Sequence, residues 1–122
     1  MNRHGFVLFG HGARDPRWAE PFERLATKLR ALRPEPVSLA FLELMTPDLP
    51  TAIKQLAADG CDAITIVPVF FGQGGHIRRD LPELLDQCRV MFPSLTLHCA
   101  TAVGEDEFVL NAVAEYCVRQ IG

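Results

Sequence analysis

His11, Glu43 and His76 lie 32 and 33 residues apart, each shortly after an apolar run of strand length. Imidazole nitrogen and carboxylate oxygen, with no thiolate among them, suit divalent iron, cobalt, nickel or zinc better than a soft-ligand metal such as copper(I). Gly10 and Gly12 flank His11, and Gly74 and Gly75 precede His76, so small residues leave space beside the prospective ligands. Vacant coordination positions are what a metal-handling site needs, in contrast to a closed structural site. Taken singly, each residue has an ordinary reading. A histidine after a strand is more often a hydrogen-bonded loop residue, and a carboxylate ahead of a helix also serves the helix dipole. The case rests on all three sharing one end of a sheet.

Four arginines adjoin the same segments: Arg14 and Arg17 follow His11, and Arg78 and Arg79 follow His76. Guanidinium groups pair with carboxylates in bidentate fashion, and helix N-termini favour anions, so this arrangement implies a polyanionic substrate. The alternative is that they are solvated residues at helix starts, where a cation is slightly unfavourable. His4 precedes the first apolar run and His98 lies within the last; both are expected to be structural or solvent-facing.

The elements that must position these groups alternate between strand and helix patterns, the signature of an α/β fold with a parallel sheet covered on both faces. Strands are expected over residues 6–9, 37–42, 63–70 and 95–99, whose near-continuous apolar and β-branched content suits burial on both sides. Pro68 inside the third run lacks an N–H for the ladder, so that strand is expected to bend or end early. Phe22, Leu25, Ala26, Leu29 and Leu32 repeat at helical spacing, as do Leu49, Ile53, Leu56 and Ala57. Leu81, Leu84, Leu85 and Cys88 mark a third helix, and Phe108, Val109, Ala112, Val113, Tyr116 and Cys117 a fourth. Asp15-Pro16 and Thr46-Pro47 are expected to be an N-cap followed by a first-turn proline, with Asp80 and Pro82 in the first turn of the third helix. Right-handed crossovers and a strand order of 2-1-3-4 would make the first three strands neighbours at about 4.8 Å spacing. In such sheets ligands bind at the carboxyl ends of the strands, where the three candidate ligands fall.

The 122 residues are expected to form one domain, 1–122. No apolar run approaches the roughly 20 residues of a membrane span, and the start lacks the form of a secretory signal, so a cytoplasmic protein is expected. The net charge of −3 removes the basic footprint of nucleic-acid binding. Cys61, Cys88, Cys99 and Cys117 form no C-x-x-C pair and are expected to be free, largely buried thiols.

Gly10-His11-Gly12-Ala13-Arg14-Asp15-Pro16-Arg17 resembles the G-H-G-S-R-D opening of the class II chelatases, in particular the small sirohydrochlorin cobaltochelatases and ferrochelatases. Ala40-Phe41-Leu42-Glu43 with Pro47 is similar to that family's A-F-L-E segment. The run from Val67 to His76 with Asp80-Leu81-Pro82 resembles its V-P-x-F-L-x-x-G-x-H and D-I-P segments. Two features depart from the pattern: Ala13 replaces the usual serine, and no histidine-rich tail follows. The resemblance implies a flavodoxin-like, chelatase-like three-layer sandwich that inserts Co²⁺, Fe²⁺ or Ni²⁺ into sirohydrochlorin or a related tetrapyrrole, in cobalamin or sirohaem biosynthesis. It implies no organic cofactor. It further makes His11 and His76 the metal-binding and catalytic histidines, with Glu43 assisting, and the short chain a homodimer. The four arginines would then face the substrate's carboxylates, with Phe71 and Leu44 as candidate apolar walls.

Two other functions compete. A non-catalytic carrier of metal or tetrapyrrole would use the same ligands. A histidine-type phosphohydrolase is suggested by Arg3-His4-Gly5, but that motif belongs after the first strand, whereas here it precedes the run.

Overall fold

The computed structural model describes residues 3–72 and 75–122, with the side chains of 75–78 outside the description. Four strands, β1 (His4–Gly10), β2 (Val37–Phe41), β3 (Ala63–Pro68) and β4 (Thr96–Cys99), form one sheet in the order β2-β1-β3-β4. Every pairing is parallel, with Gly10 opposite Phe41, Phe9 opposite Pro68 and Ile66 opposite Cys99. The expected doubly wound α/β fold and strand order are therefore present. Helices α1 (Glu20–Leu32), α2 (Leu49–Ala58), α3 (Gly75–Met91) and α4 (Glu107–Arg119) follow the strands in turn.

Alternation along the strands divides their side chains between two faces. Val7, Phe9, Ala40, Ile64, Ile66 and Leu97 point toward α2 and α3, where they join Ile53, Leu56, Leu81, Leu85 and Cys88 in the main core. Full burial of one such aliphatic side chain stabilises the fold by about 1.5–3 kcal/mol before entropy is counted. The other face is thinner. Leu8 and Val37 pack with Ala26 of α1, while Phe6, Leu39, Val67 and Val69 remain half-buried around them.

The element boundaries depart from expectation in ways that follow from backbone chemistry. β3 ends at Pro68, as a residue without a ladder donor requires, rather than continuing to Phe70. Asp15-Pro16 opens a 3-10 turn, Pro16–Ala19, with the Asp15 carboxylate accepting from the Arg17 N–H; α1 itself starts at Glu20, beside Pro21. Thr46-Pro47 does not open α2. That role belongs to Asp48, whose carboxylate accepts from the Thr51 N–H at 3.0 Å, and the Thr46-Pro47 peptide is cis. Asp80 and Pro82 lie inside α3 rather than in its first turn, because the helix already begins at Gly75. His4 is the first residue of β1 rather than ahead of it, so Arg3-His4-Gly5 sits at the amino end of the strand, away from the carboxyl rim.

All four cysteines are free. Burial pushes the Cys61, Cys88 and Cys99 thiols above the ordinary range, whereas Cys117 is exposed on α4 and corrects the expectation of a buried group. Among the described residues no helix is long and apolar enough to cross a membrane.

Candidate active site

At the carboxyl rim the β1–β2 ladder continues past the ends of both strands. The Leu42 N–H donates to the Gly10 carbonyl at 2.9 Å, and the Glu43 N–H donates to the His11 carbonyl at 3.1 Å. These two bonds fix the backbone from which both side chains leave. His11 Nε2 and Glu43 Oε1 then meet at 2.8 Å, with the side chains 41% and 48% exposed. An ionised carboxylate can only accept, so the imidazole donates to it through Nε2–H.

Two glycines make this geometry possible. Gly12 has φ +100°, and a Cβ built on it would overlap the Glu43 carbonyl oxygen. A side chain there would be strained in the left-handed region and would also push the Glu43 backbone away. A Cβ on Gly10 would approach the Phe22 ring to 2.8 Å. Phe22 belongs to an aromatic cluster beneath the rim, its centroid 4.7 Å from Trp18 and 5.9 Å from Phe41. Rigid rings thus support the turn that carries His11.

The 2.8 Å separation has a chemical meaning beyond the hydrogen bond. Two ligand atoms at about 2.0–2.2 Å from one divalent ion, on adjacent octahedral positions, lie roughly 3 Å apart. The two donor atoms are therefore spaced, to within a few tenths of an ångström, as adjacent ligands of one cation, and metal binding would release the proton between them. Among the described residues no group of three or more His, Cys, Asp or Glu is placed to hold a metal, and the described part of the site supplies these two donors.

His76 is the second residue of α3, which must start at the carboxyl rim to cross back to the parallel β4. Its side chain and that of Arg78, with the glycine-rich stretch at residues 73 and 74, lie outside the described residues. Arg14 is exposed three residues beyond His11, and Arg79 is exposed on α3. Arg17 is engaged: its Nε and Nη2 donate to the Asp15 carboxylate, the shortest contact being 2.7 Å. That fork holds the Asp15 carboxyl below the usual carboxylate range and raises Arg17 further. Leu44 and Phe71, the candidate apolar walls, are 60% and 61% exposed. A cleft of about 750 Å³ runs along the open edge of β2 and includes Glu43 among its walls.

Strand order alone places His11 and Glu43 at one rim, whereas their direct contact and the Trp18 support beneath them carry no signal in the sequence. In the sequence the glycines beside His11 read as open space. Gly12 in fact allows close approach of two backbone segments, and only its positive φ reveals this.

The CbiX family model matches residues 5–119. The chain belongs to the CbiX family. Among curated CbiX-like relatives, the sirohydrochlorin cobaltochelatase of Saccharolobus solfataricus is 33% identical over 126 residues, covering 96% of this chain and 92% of that protein. That of Methanothermobacter thermautotrophicus is 37% identical over 81 residues, 66% of this chain and 57% of that protein. The match therefore spans little more than half the length of the Methanothermobacter relative. A solved structure of a cobalamin (vitamin B12) biosynthesis CbiX protein from Marinobacter aquaeolei VT8 superposes with a TM-score of 0.86 at 27% identity, covering 97% of each chain. The sirohydrochlorin chelatase SirB from Bacillus subtilis subspecies spizizenii, in complex with cobalt, superposes with a TM-score of 0.78 at 25% identity, covering 93% of this chain and 49% of SirB.

Proposed function

We infer that this CbiX-family chain inserts a divalent metal, Co²⁺ or Fe²⁺ with Ni²⁺ as a further candidate, into sirohydrochlorin or a closely related tetrapyrrole. The observation that carries this reading is the His11–Glu43 pair, half-exposed at the carboxyl rim with its donor atoms at 2.8 Å. The sirohydrochlorin cobaltochelatases among its relatives and the cobalt complex of its SirB neighbour support the choice of reaction.

Insertion exchanges two pyrrole N–H protons for one M²⁺, so the site must both present a cation and accept protons. In this reading His11 and His76 hold the incoming metal on one side of the macrocycle. Glu43 shares the metal with His11 and takes up one pyrrole proton as the ion passes into the ring, and the His11 imidazole freed by the departing metal takes up the second. An imidazole with a pKa near neutrality suits either holding a metal or accepting a proton. Arg14, Arg17, Arg78 and Arg79 would meet the substrate's carboxylates; Arg17 would exchange Asp15 for a substrate carboxylate. No organic cofactor is needed. Residues 1–122 act as one chelatase-like domain, in the cytoplasm, in cobalamin or sirohaem biosynthesis. The chain aligns with about half of SirB, and two copies in a homodimer would supply a comparable length of chain.

The test mixes purified protein, sirohydrochlorin and Co²⁺ or Fe²⁺ and follows the visible spectrum of the macrocycle. Wild type should accelerate insertion, while His11→Ala and His76→Ala should each lose about 100-fold or more. Stoichiometric binding of metal or tetrapyrrole without rate enhancement would instead identify a carrier.

A further inference from the structure

β3 loses its regular ladder at Pro68, yet the residues just after it are held from both sides. Toward β1, the Val69 N–H donates to the Phe9 carbonyl at 2.7 Å. On the other side the Ala100 N–H donates to the Ile66 carbonyl at 2.9 Å, and the turn after β4 brings Gly104 close enough for its N–H to donate to the Phe70 carbonyl at 3.2 Å. Ala102, fully buried, anchors that turn. The approach is so close that a Cβ on Gly104 would overlap the Phe71 backbone. Gly72, the next residue along, has nothing within 4 Å of the place where its own Cβ would stand.

Of the two phenylalanines in this segment, Phe70 packs against the main core, whereas Phe71 is 61% exposed. A lone apolar side chain on a surface is ordinary. Backbone gripped from both sides beneath it is not, because connections between elements are usually the more mobile parts and an exposed ring contributes little to the fold. The segment leaves the sheet at the carboxyl rim, and Phe9, whose carbonyl holds Val69, lies two residues before His11. A tetrapyrrole presents a broad apolar ring face with carboxylates at its margin, and a phenyl ring packs favourably on such a π-face.

We propose that Phe71 contacts the ring face of the tetrapyrrole and that Gly104 is its positioning residue, whose lack of a side chain lets the turn after β4 lock the Phe71 backbone at the rim. The inference rests on the chelatase reading above. It deepens that reading by assigning ring recognition to the connection after β3, apart from metal handling at His11 and Glu43. An aromatic group already in place loses little freedom on binding, so its effect falls on affinity for the macrocycle and not on the rate of the bound complex.

The experiment titrates the chain with metal-free sirohydrochlorin, read from the visible absorbance of the macrocycle, and separately with Co²⁺ alone. Phe71→Ala, exposed and outside the core, should raise the sirohydrochlorin dissociation constant about tenfold, while Phe71→Trp stays close to wild type. Neither should alter Co²⁺ affinity or the insertion rate at saturating sirohydrochlorin. Gly104→Ala should weaken sirohydrochlorin binding several-fold in the wild-type background but by less than about twofold in the Phe71→Ala background, since it acts through the ring. Gly72→Ala should bind as wild type does. A wild type that binds no sirohydrochlorin would overturn the chelatase reading and this inference together. With wild-type binding intact, unchanged affinity in Phe71→Ala, an equal loss from Gly104→Ala with or without the Phe71 ring, the same loss in Gly72→Ala, or a parallel loss of Co²⁺ affinity would each overturn the inference alone.

Discussion

The His11–Glu43 rim and helix α4 are both open to solvent, but they are held in opposite ways. At the rim, half-exposed side chains stand on backbone fixed by ladder bonds, Gly12 and an aromatic cluster. In α4, apolar side chains sit on a well-capped helix with no fully buried residue, whose principal contact is the 3-10 turn leading into it. The difference shows that exposure alone does not mark a site. What distinguishes the rim is polar groups held by structure that does not itself need them, whereas α4 is a capped helix whose apolar stripe is exposed.

The largest expected contrast is between core and C-terminal helix. Ile53→Ala, in the fully buried face, should cost about 2–5 kcal/mol in denaturant unfolding. Tyr116→Ala, measured where the chain is monomeric, should stay within about 0.5 kcal/mol. Comparable losses at the two positions would break the comparison by showing that α4 is packed after all.

Next in size is Gly12→Ala. The left-handed backbone there should cost about 1–2 kcal/mol, and the overlap with the Glu43 carbonyl should separate His11 from Glu43. The proton resonances of the His11 ring should lose their hydrogen-bonded signature, and insertion should slow with it. Unaltered resonances would show that the rim does not depend on this close approach.

A smaller effect is expected at Asp48. Asp48→Ala removes the α2 cap and should cost about 1 kcal/mol at neutral pH. Hydrogen bonds to Thr51 hold the Asp48 carboxyl below its ordinary value, so its contribution is present above that value and disappears as pH falls through the lower folded one. Unfolding curves of wild type and variant should therefore converge in acid. A gap that persisted there would assign the loss to something other than the ionised cap.

Much of this was legible beforehand. Parallel strands buried on both faces show as apolar runs, and alternation with helical spacing leads to the order β2-β1-β3-β4. That order carries His11 and Glu43 to one rim. Their contact was not legible, because it depends on the ladder running two residues past Phe41 and on the φ of Gly12. Helix starts were misplaced where prolines lie close together. Thr46-Pro47 and Asp48 compete for one cap, and the carboxylate within reach of the Thr51 N–H wins. The early start of α3 was hidden by its glycines, which suggest a loop. For α4, periodicity gave the helix and its apolar stripe, but a stripe carries no information about the surface that will cover it.

The central claim is that His11 and Glu43 act as one unit in exchanging metal for protons. A double-mutant cycle on the initial rate of Co²⁺ insertion into sirohydrochlorin tests it most directly, using His11→Ala, Glu43→Gln and the double variant. If they act as a unit, the double variant should be about as slow as the slower single variant. Rate losses that simply multiply would contradict it.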